Sequence, residues 1–283
     1  ARGGRDLAVV DVASRRVRTL ATGYFDRLPS SSPMDFAWSP DNRWIAYLSA
    51  GTSIFTTVHV VPAAGGESRP ISFLPNVFGG GISWSPDGKY VLFTTSQRTE
   101  GSQLARIDLV PRTPLFREDQ FQDLFRQPAR PTPTTESRPA QPAAPASPIP
   151  PAREAARPRD NAPRDTTAPR PRADSTTRVT PVEIVFDDIR RRLSFVPTGL
   201  DAGGAVIAPD GKSVLLVASV AGQQNLYTYS VDELSRDEPV ARQLTSTPGG
   251  KSSAQWSPDG KEVWFLQNGR INVITVEGRT TRQ

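Results

Sequence analysis

The sequence lacks cysteine altogether and contains a single histidine, His59, and a single methionine among its 283 residues. The absence of cysteine excludes disulfides, thiolate metal ligands and a cysteine nucleophile. One histidine excludes any site that needs two imidazoles and leaves at most one Ser-His-Asp arrangement. No stretch approaches the ~18 continuous apolar residues of a membrane-spanning helix, so we expect no membrane span. No signal-like run follows Ala1, and we expect a processed start or an excerpt from a longer chain.

The positive charge of the chain is concentrated in one segment. The 34 basic residues exceed the 29 acidic ones by five, and residues 127–180 alone hold nine arginines against five acids. The rest of the chain is therefore almost neutral. A basic folded face is the main electrostatic requirement for nucleic-acid binding, so we expect no nucleic-acid partner.

The same segment predicts a disordered insertion. Residues 127–180 contain 13 of the 28 prolines and no aromatic residue, and such a composition cannot bury enough apolar surface to offset the entropy of ordering. PxxP spacings could meet a polyproline-binding domain, but an insertion without a partner is the preferred interpretation. The preceding residues 111–126 favour a short helical segment, because Pro114 opens the run LFREDQFQDLF.

Outside the insertion, short runs rich in β-branched and aromatic residues alternate with turn residues, and one pattern repeats four times. The repeats are FAWSPDNRWIAYLS (36–49), ISWSPDGKYVLFTT (82–95), AVIAPDGKSVLLVA (205–218) and AQWSPDGKEVWFLQ (254–267). Their prolines are 46, 123 and 49 residues apart. Removing the roughly 75-residue excess around the insertion leaves a period slightly above the ~40–45 residues of a four-stranded propeller blade.

Each repeat contains the residues that a tight hairpin turn requires. Proline presets φ at the second turn position, and aspartate at the third can accept hydrogen bonds from local amides. Glycine then supplies the left-handed conformation that closes the hairpin, with Asn42 in its place in the first repeat. The predicted turn residues are Pro40, Asp41, Pro86, Asp87, Gly88, Pro209, Asp210, Gly211, Pro258, Asp259 and Gly260.

A tryptophan lies two residues before the proline in three of the repeats. These residues are Trp38, Trp84 and Trp256, and Ile207 takes the position in the third repeat. We expect these side chains to pack between adjacent sheets, since a large ring fills such an interface.

The repeats predict an all-β fold, a β-propeller of four-stranded antiparallel blades forming a partial ring of about four blades plus a half blade. Residues 1–110 would contain the half blade and two blades, and residues 181–283 the rest of the second blade, the third and most of the fourth. We expect the fourth strand of the first blade within 71–74 and that of the second blade at 182–196, beyond the insertion. The chain is expected to stop before a convincing fourth strand of the last blade.

The WSPDGK repeats resemble the propeller modules of the periplasmic Tol-system propeller protein, the tricorn protease and prolyl-oligopeptidase relatives. Residues 181–199 are similar to a strand entering a blade in tricorn-like serine peptidases. Residues 110–125, 222–234 and 241–259 resemble bacterial members of that group. The resemblance implies a non-catalytic propeller that guides or gates peptides toward a separate, downstream serine peptidase region, or supports assembly. No catalytic residue of the family can be placed on this chain.

The implied partners are a peptide or unfolded polypeptide, the downstream peptidase region of the same chain and, as an oligomer, further copies. A protein-binding scaffold like the Tol-system propeller and the propeller cap of a prolyl-oligopeptidase-type enzyme remain alternatives. The sequence is compatible with both the cytoplasm and the periplasm, and the periplasm is the preferred compartment.

Other candidate sites have simpler interpretations. His59 lies in an alternating strand pattern, and Gly211-Lys212-Ser213 lacks the upstream glycine of a phosphate-binding loop. The repeated aspartates are tens of residues apart, unlike a calcium loop, so we expect no metal and no cofactor. The run 190–192, three arginines, could bind an acidic peptide terminus, although a solvated strand end is the preferred interpretation.

Overall fold

The computed structural model describes residues 6–23, 35–50, 55–74, 78–96, 100–113, 180–235, 238–278 and 280–282, which belong to one compact unit. The predicted helix within 111–126 and the predicted disorder of 127–180 lie outside the described residues, apart from 111–113 and Thr180. Neither 111–113 nor Thr180 has regular secondary structure.

Four antiparallel sheets of four strands each follow one another along the chain, and we number them blades one to four. A two-stranded half-blade precedes them, with β1 (Asp6–Val10) and β2 (Val17–Thr22). Blade one contains β3 (Phe36–Trp38), β4 (Trp44–Ala50), β5 (Thr56–Pro62) and β6 (Arg69–Pro70). Blade two contains β7 (Phe78–Trp84), β8 (Tyr90–Ser96), β9 (Gln103–Asp108) and β10 (Leu193–Val196).

Blade three contains β11 (Ala202–Ile207), β12 (Ser213–Val220), β13 (Gln223–Ser230) and β14 (Arg242–Gln243). Blade four contains β15 (Lys251–Trp256), β16 (Glu262–Gln267), β17 (Arg270–Thr275) and β18 (Thr281–Arg282). The all-β propeller architecture of four blades and a half blade is thus confirmed.

Strand direction brings two kinds of connection to one end of every blade. The Ser-Pro-Asp-Gly turns join the first strand to the second, and in an antiparallel blade the third strand ends on the same side as the first. The connections from third to fourth strand therefore lie beside these turns. We call this side of the molecule the turn face.

Apolar side chains fill the spaces between consecutive blades. One buried cluster joins blades one and two around Phe93 and Val58, and a second joins blades two and three around Leu92 and Leu216. A third lies between blades three and four, and a smaller one lies between the half-blade and blade one. The core is divided among the blade interfaces because each sheet packs face to face against the next one along the chain.

Three strand predictions need correction. Residues 182–188 lie outside any strand, and β10 begins only at Leu193. Asp188, with φ +54°, and a 3₁₀ turn at Ile189–Arg192 separate the two parts of the predicted strand. The ladder of β6 is at Arg69–Pro70, ahead of the predicted 71–74, and blade four does contain a short fourth strand, β18.

Two of the repeat tryptophans link neighbouring blades. Trp84 Nε1 donates a hydrogen bond to Ala37 O of blade one (3.0 Å), and Trp256 Nε1 donates to Val206 O of blade three (3.0 Å). Trp38 differs from the expectation of packing between sheets, since it is 41% exposed. The half-blade before it consists of two strands among the described residues, so no first strand offers Trp38 an equivalent surface.

The described blades form an open arc. Each blade contacts the next, but no strand of blade four makes a comparable contact with blade one or the half-blade among the described residues. Blade four consequently presents Trp264, Leu266 and Ile271 at its outward face, where they are exposed. Leu266 and Ile271 are direct cross-strand partners.

Candidate functional site

The turn face is built from a hydrogen-bonded turn that recurs in each blade. In blade one, Ser39 Oγ donates to Asp41 Oδ1 (2.5 Å) and accepts from Trp44 N–H (2.9 Å), while Arg43 N–H donates to Asp41 Oδ1 (3.0 Å). Asn42 adopts φ +57°, and its N–H donates to Ser39 O (2.9 Å). Residues 39–44 therefore form hydrogen bonds with one another, and the serine and aspartate of the repeated sequence take part in most of them.

The turns of the other three blades have glycine in place of Asn42, and one of them also lacks the serine. Gly88, Gly211 and Gly260 all have φ near +70°. Blade four repeats the serine-to-aspartate hydrogen bond, but blade three has Ala208 where the other turns have serine. In that turn Asp210 accepts from Lys212 N–H (2.9 Å) without a serine hydroxyl.

The hydrogen bonds favour the ionised form of two of the turn carboxylates, Asp41 and Asp259. Burial raises the pKa of Asp41, but hydrogen bonds from Ser39 Oγ and the N–H groups of Val182 and Arg43 outweigh it and leave the pKa below its ordinary value. The hydrogen bond from Ser257 is the main cause that lowers the pKa of Asp259. The turn aspartates are thus structural acceptors.

The chain returns to blade two through residues 180–192, which we call the return segment. Its Val182 N–H donates to Asp41 Oδ2 of blade one (2.7 Å), and its Val185 N–H donates to Leu109 O at the end of β9 (2.9 Å). Val182 is buried and lies against Gly88. The return segment therefore fastens the turn of blade one to the turn of blade two.

A cleft of about 410 Å³ opens on the turn face between blades two and three. It lies where β9 ends and the chain leaves blade two through residues 110–113. Its walls combine charged groups with apolar ones from both blades. The side chains that shape it include Lys89, Tyr90, Arg106, Asp108, Arg112, Lys212, Glu233 and Leu234.

An ion-pair network crosses this cleft. Arg106, whose side chain is only 14% exposed, contacts Asp108 on its own strand (2.8 Å) and Glu233 of blade three (3.4 Å). Arg112, at 42% exposure, also contacts Glu233 (2.7 Å). The Arg106 guanidinium stacks 3.9 Å from the centre of the Tyr90 ring, an arrangement that suits a planar, weakly hydrated cation.

The cleft offers groups that can bind a ligand. Burial raises the pKa of Tyr90, with the neighbouring Arg106 as a smaller, opposing influence. The cleft lining contains the Thr113 hydroxyl but no histidine among the described residues, so no imidazole can act as a general base there. Guanidinium donors, a carboxylate acceptor and apolar walls together suit the backbone and side chains of a polypeptide.

The sequence predictions identified the turns beside this cleft but not its charged residues. Arg106 and Asp108 alternate with apolar residues on β9, so two charges share one face of an interior strand. This alternation could have indicated an ion pair, because charged side chains are rarely buried in an interior strand unless they are paired. The contact with Glu233 spans 127 residues of sequence and has no local signature.

Among the other candidates, His59 and the run 190–192 are not part of the cleft lining, whereas Gly211 and Lys212 belong to it. His59 is in β5, where its Nε2 is 2.9 Å from Thr57 Oγ1 and its Nδ1 is 3.4 Å from Ser68 Oγ. Burial lowers the pKa of His59, and among the described residues no carboxylate is hydrogen-bonded to its ring. Gly211-Lys212-Ser213 forms the hairpin between β11 and β12, and 190–192 lie in the 3₁₀ turn.

Lys251, at the start of β15, is buried between blades three and four. Its ammonium donates to Gln224 O and Gly249 O (2.9 Å each), to Asn225 Oδ1 (3.1 Å) and to Thr247 O. Oxygen acceptors from both blades thus surround the charge.

The described residues include neither a metal-binding cluster nor a membrane-spanning helix. They contain no grouping of three or more histidine, aspartate or glutamate side chains arranged to hold a metal ion. Within the same residues, no helix has the length and apolar character needed to cross a membrane.

Comparison with known proteins establishes the fold. TolB from Acinetobacter baumannii superposes with a TM-score of 0.55 and 16% identity, covering 99% of this chain and 49% of that one. A putative TolB from Agrobacterium tumefaciens gives 0.57 and 14%, over 99% and 73%. The tricorn protease gives 0.52 and 14%, over 99% of this chain and 24% of its own. The chain is similar to these β-propellers in architecture.

Sequence similarity is narrower. No protein-family model matches the chain. A stretch of 65 residues is 35% identical to an uncharacterized peptidase, YuxL, of Bacillus subtilis (strain 168), covering 22% of this chain and 9% of that protein. The chain thus spans a small part of this relative and about half of the first TolB structure.

Proposed function

We propose that the chain is the non-catalytic propeller portion of a longer, tricorn-like serine peptidase, and that it binds polypeptide substrates in the cleft between blades two and three. The observation that carries the proposal is the cleft itself, in which paired arginines and carboxylates stand beside apolar walls. The 65-residue similarity to a peptidase supports the link to proteolysis.

Arg112 is the group in the cleft best suited to meet a substrate. It is the more exposed arginine of the network, and Glu233 keeps its contact with Arg106 when Arg112 is removed. Arg112→Ala therefore tests binding with little effect on the fold. Arg282→Ala is a matched control, since Arg282 forms an exposed pair with Glu262 (2.8 Å) on blade four, away from the cleft.

The test compares both variants in the longer protein that carries the peptidase region. Arg112→Ala should raise KM for an unfolded polypeptide and leave hydrolysis of a small ester unchanged, whereas Arg282→Ala should change neither. Equal KM values for all three proteins would refute polypeptide binding by the cleft. A protein that binds polypeptide through Arg112 but carries no peptidase activity would instead support the alternative, a protein-binding scaffold.

A further inference from the structure

The outermost strands of the four blades differ in how they end their sheets. In blades one, three and four the outer strand is only two residues long and contains an arginine: Arg69–Pro70, Arg242–Gln243 and Thr281–Arg282. Short length, charge and proline are the features by which natural sheets prevent another strand from pairing at an edge. These three edges are therefore protected.

The outer strand of blade two lacks this protection. β10 has four residues, Leu193–Val196, with neither charge nor proline. It ends its sheet, because it pairs with β9 on one side and with no strand on the other among the described residues. Phe195 is 50% exposed on this edge and shares its strand face with Leu193, which packs against the core between blades one and two.

We propose that β10 is a second polypeptide-binding site, at which an extended segment of a polypeptide substrate adds to blade two as a fifth strand. This inference rests on the proposed polypeptide binding but concerns a surface distinct from the cleft. A strand is the expected occupant because the free side of β10 presents backbone N–H and C=O groups, which only another extended backbone can match in register.

The surroundings of β10 indicate which segments fit. An apolar or β-branched residue directly opposite Phe195 gives a favourable cross-strand pair. The 3₁₀ turn before β10 contains three arginines, offset in part by Asp187 and Asp188, and the Arg191–Asp188 pair (3.8 Å) is largely exposed. In an antiparallel addition the C-terminal end of the segment lies next to these arginines. The preferred segment is therefore apolar and ends in acidic residues.

The probe is a fluorescein-labelled peptide of alternating threonine and valine that ends in two glutamates, titrated into the whole chain and followed by fluorescence anisotropy. Phe195→Lys places a charge on the edge and should weaken binding at least about fivefold. Val240→Lys is the control, because Val240 is also an exposed apolar residue, smaller than Phe195, and lies outside any strand. It should bind as the original chain does.

A second peptide with alternate backbone nitrogens methylated removes hydrogen-bond donors while keeping the side chains, and it should bind about tenfold more weakly. Amide exchange provides a readout independent of the variants: those N–H groups of residues 193–196 that point away from β9 should gain protection when the first peptide binds. Melting of each variant checks that the fold is retained, and Phe195→Thr is the milder substitution if Phe195→Lys does not fold.

Three results would overturn the inference. Binding that is unaffected by Phe195→Lys and by N-methylation would exclude strand addition at β10. Binding that is lost in Arg112→Ala but not in Phe195→Lys would assign the peptide to the cleft, so that the proposed function stands and the second site falls. Concentration-dependent dimers that Phe195→Lys abolishes, without peptide binding, would identify a second copy of the chain as the occupant.

Discussion

The contact between the return segment and the turn of blade two can be tested through Gly88. A Cβ atom at Gly88 would lie 2.5 Å from Val182 Cγ2 and 3.5 Å from Val182 Cβ. Val182 cannot easily move away, because it is buried, its χ1 rotamer is restricted, and its N–H is fixed by Asp41. Gly88→Ala should therefore force the return segment off the turn.

Gly260 provides the matched control. Its φ of +70° equals that of Gly88 (+69°) within one degree, so alanine meets the same left-handed backbone in both turns. Its nearest neighbour would be Pro209 Cδ at 3.7 Å, an ordinary contact. Gly260→Ala should cost ~1–2 kcal/mol from backbone conformation alone. Gly88→Ala should add ~1–3 kcal/mol for overpacking.

The measurement is denaturant unfolding followed by tryptophan fluorescence, with midpoint shifts compared at constant slope. The double variant Gly88→Ala/Val182→Ala removes the Cγ2 atom that the new methyl would meet. It should show a favourable coupling energy relative to the two single variants, as neighbouring residues do. Equal costs for Gly88→Ala and Gly260→Ala, together with additive behaviour of the double variant, would refute the docking of the return segment on this turn.

Three further predictions concern the turns and the insertion. Ala208→Ser should stabilise the chain by about 1 kcal/mol in denaturant unfolding, because it restores the hydroxyl that the other three turns use; a destabilised variant would contradict the turn geometry. Burial raises the pKa of Asp87, yet hydrogen bonds from Ser85 and Lys89 leave it below the ordinary 3.8. The stability that Asp87 contributes is therefore present above this pH and lost as the pH falls through the folded pKa. Ser85→Ala should move the acid-unfolding midpoint to higher pH, and an unchanged midpoint would count against this role. Excising residues 127–180 should stabilise the chain by about 1 kcal/mol through a shorter connection between β9 and β10, and a loss of several kcal/mol would show that the segment packs.

Features that depend on a few consecutive residues could be predicted from the sequence. The Ser-Pro-Asp-Gly turns close because proline sets one dihedral angle, aspartate accepts a nearby amide and glycine adopts positive φ, all within six positions. Four copies, whose spacing is similar once the insertion is subtracted, then imply four blades, because each repeat forms the same hairpin. The pairing of β9 with β10 also followed from this period, although 84 residues separate the two strands.

The contacts between residues of different blades could not be predicted from the sequence, because they depend on how the sheets pack. The alternation of Val182, Ile184 and Phe186 suits a strand. In the structure these side chains instead pack against the interface of blades one and two, and their backbone joins no sheet. Likewise, Arg106 and Glu233 meet because two rigid blades pack side by side, and no short-range pattern links residues 127 positions apart. Hydrogen bonds within a turn are local in sequence, whereas ion pairs and apolar contacts between blades depend on how the sheets assemble.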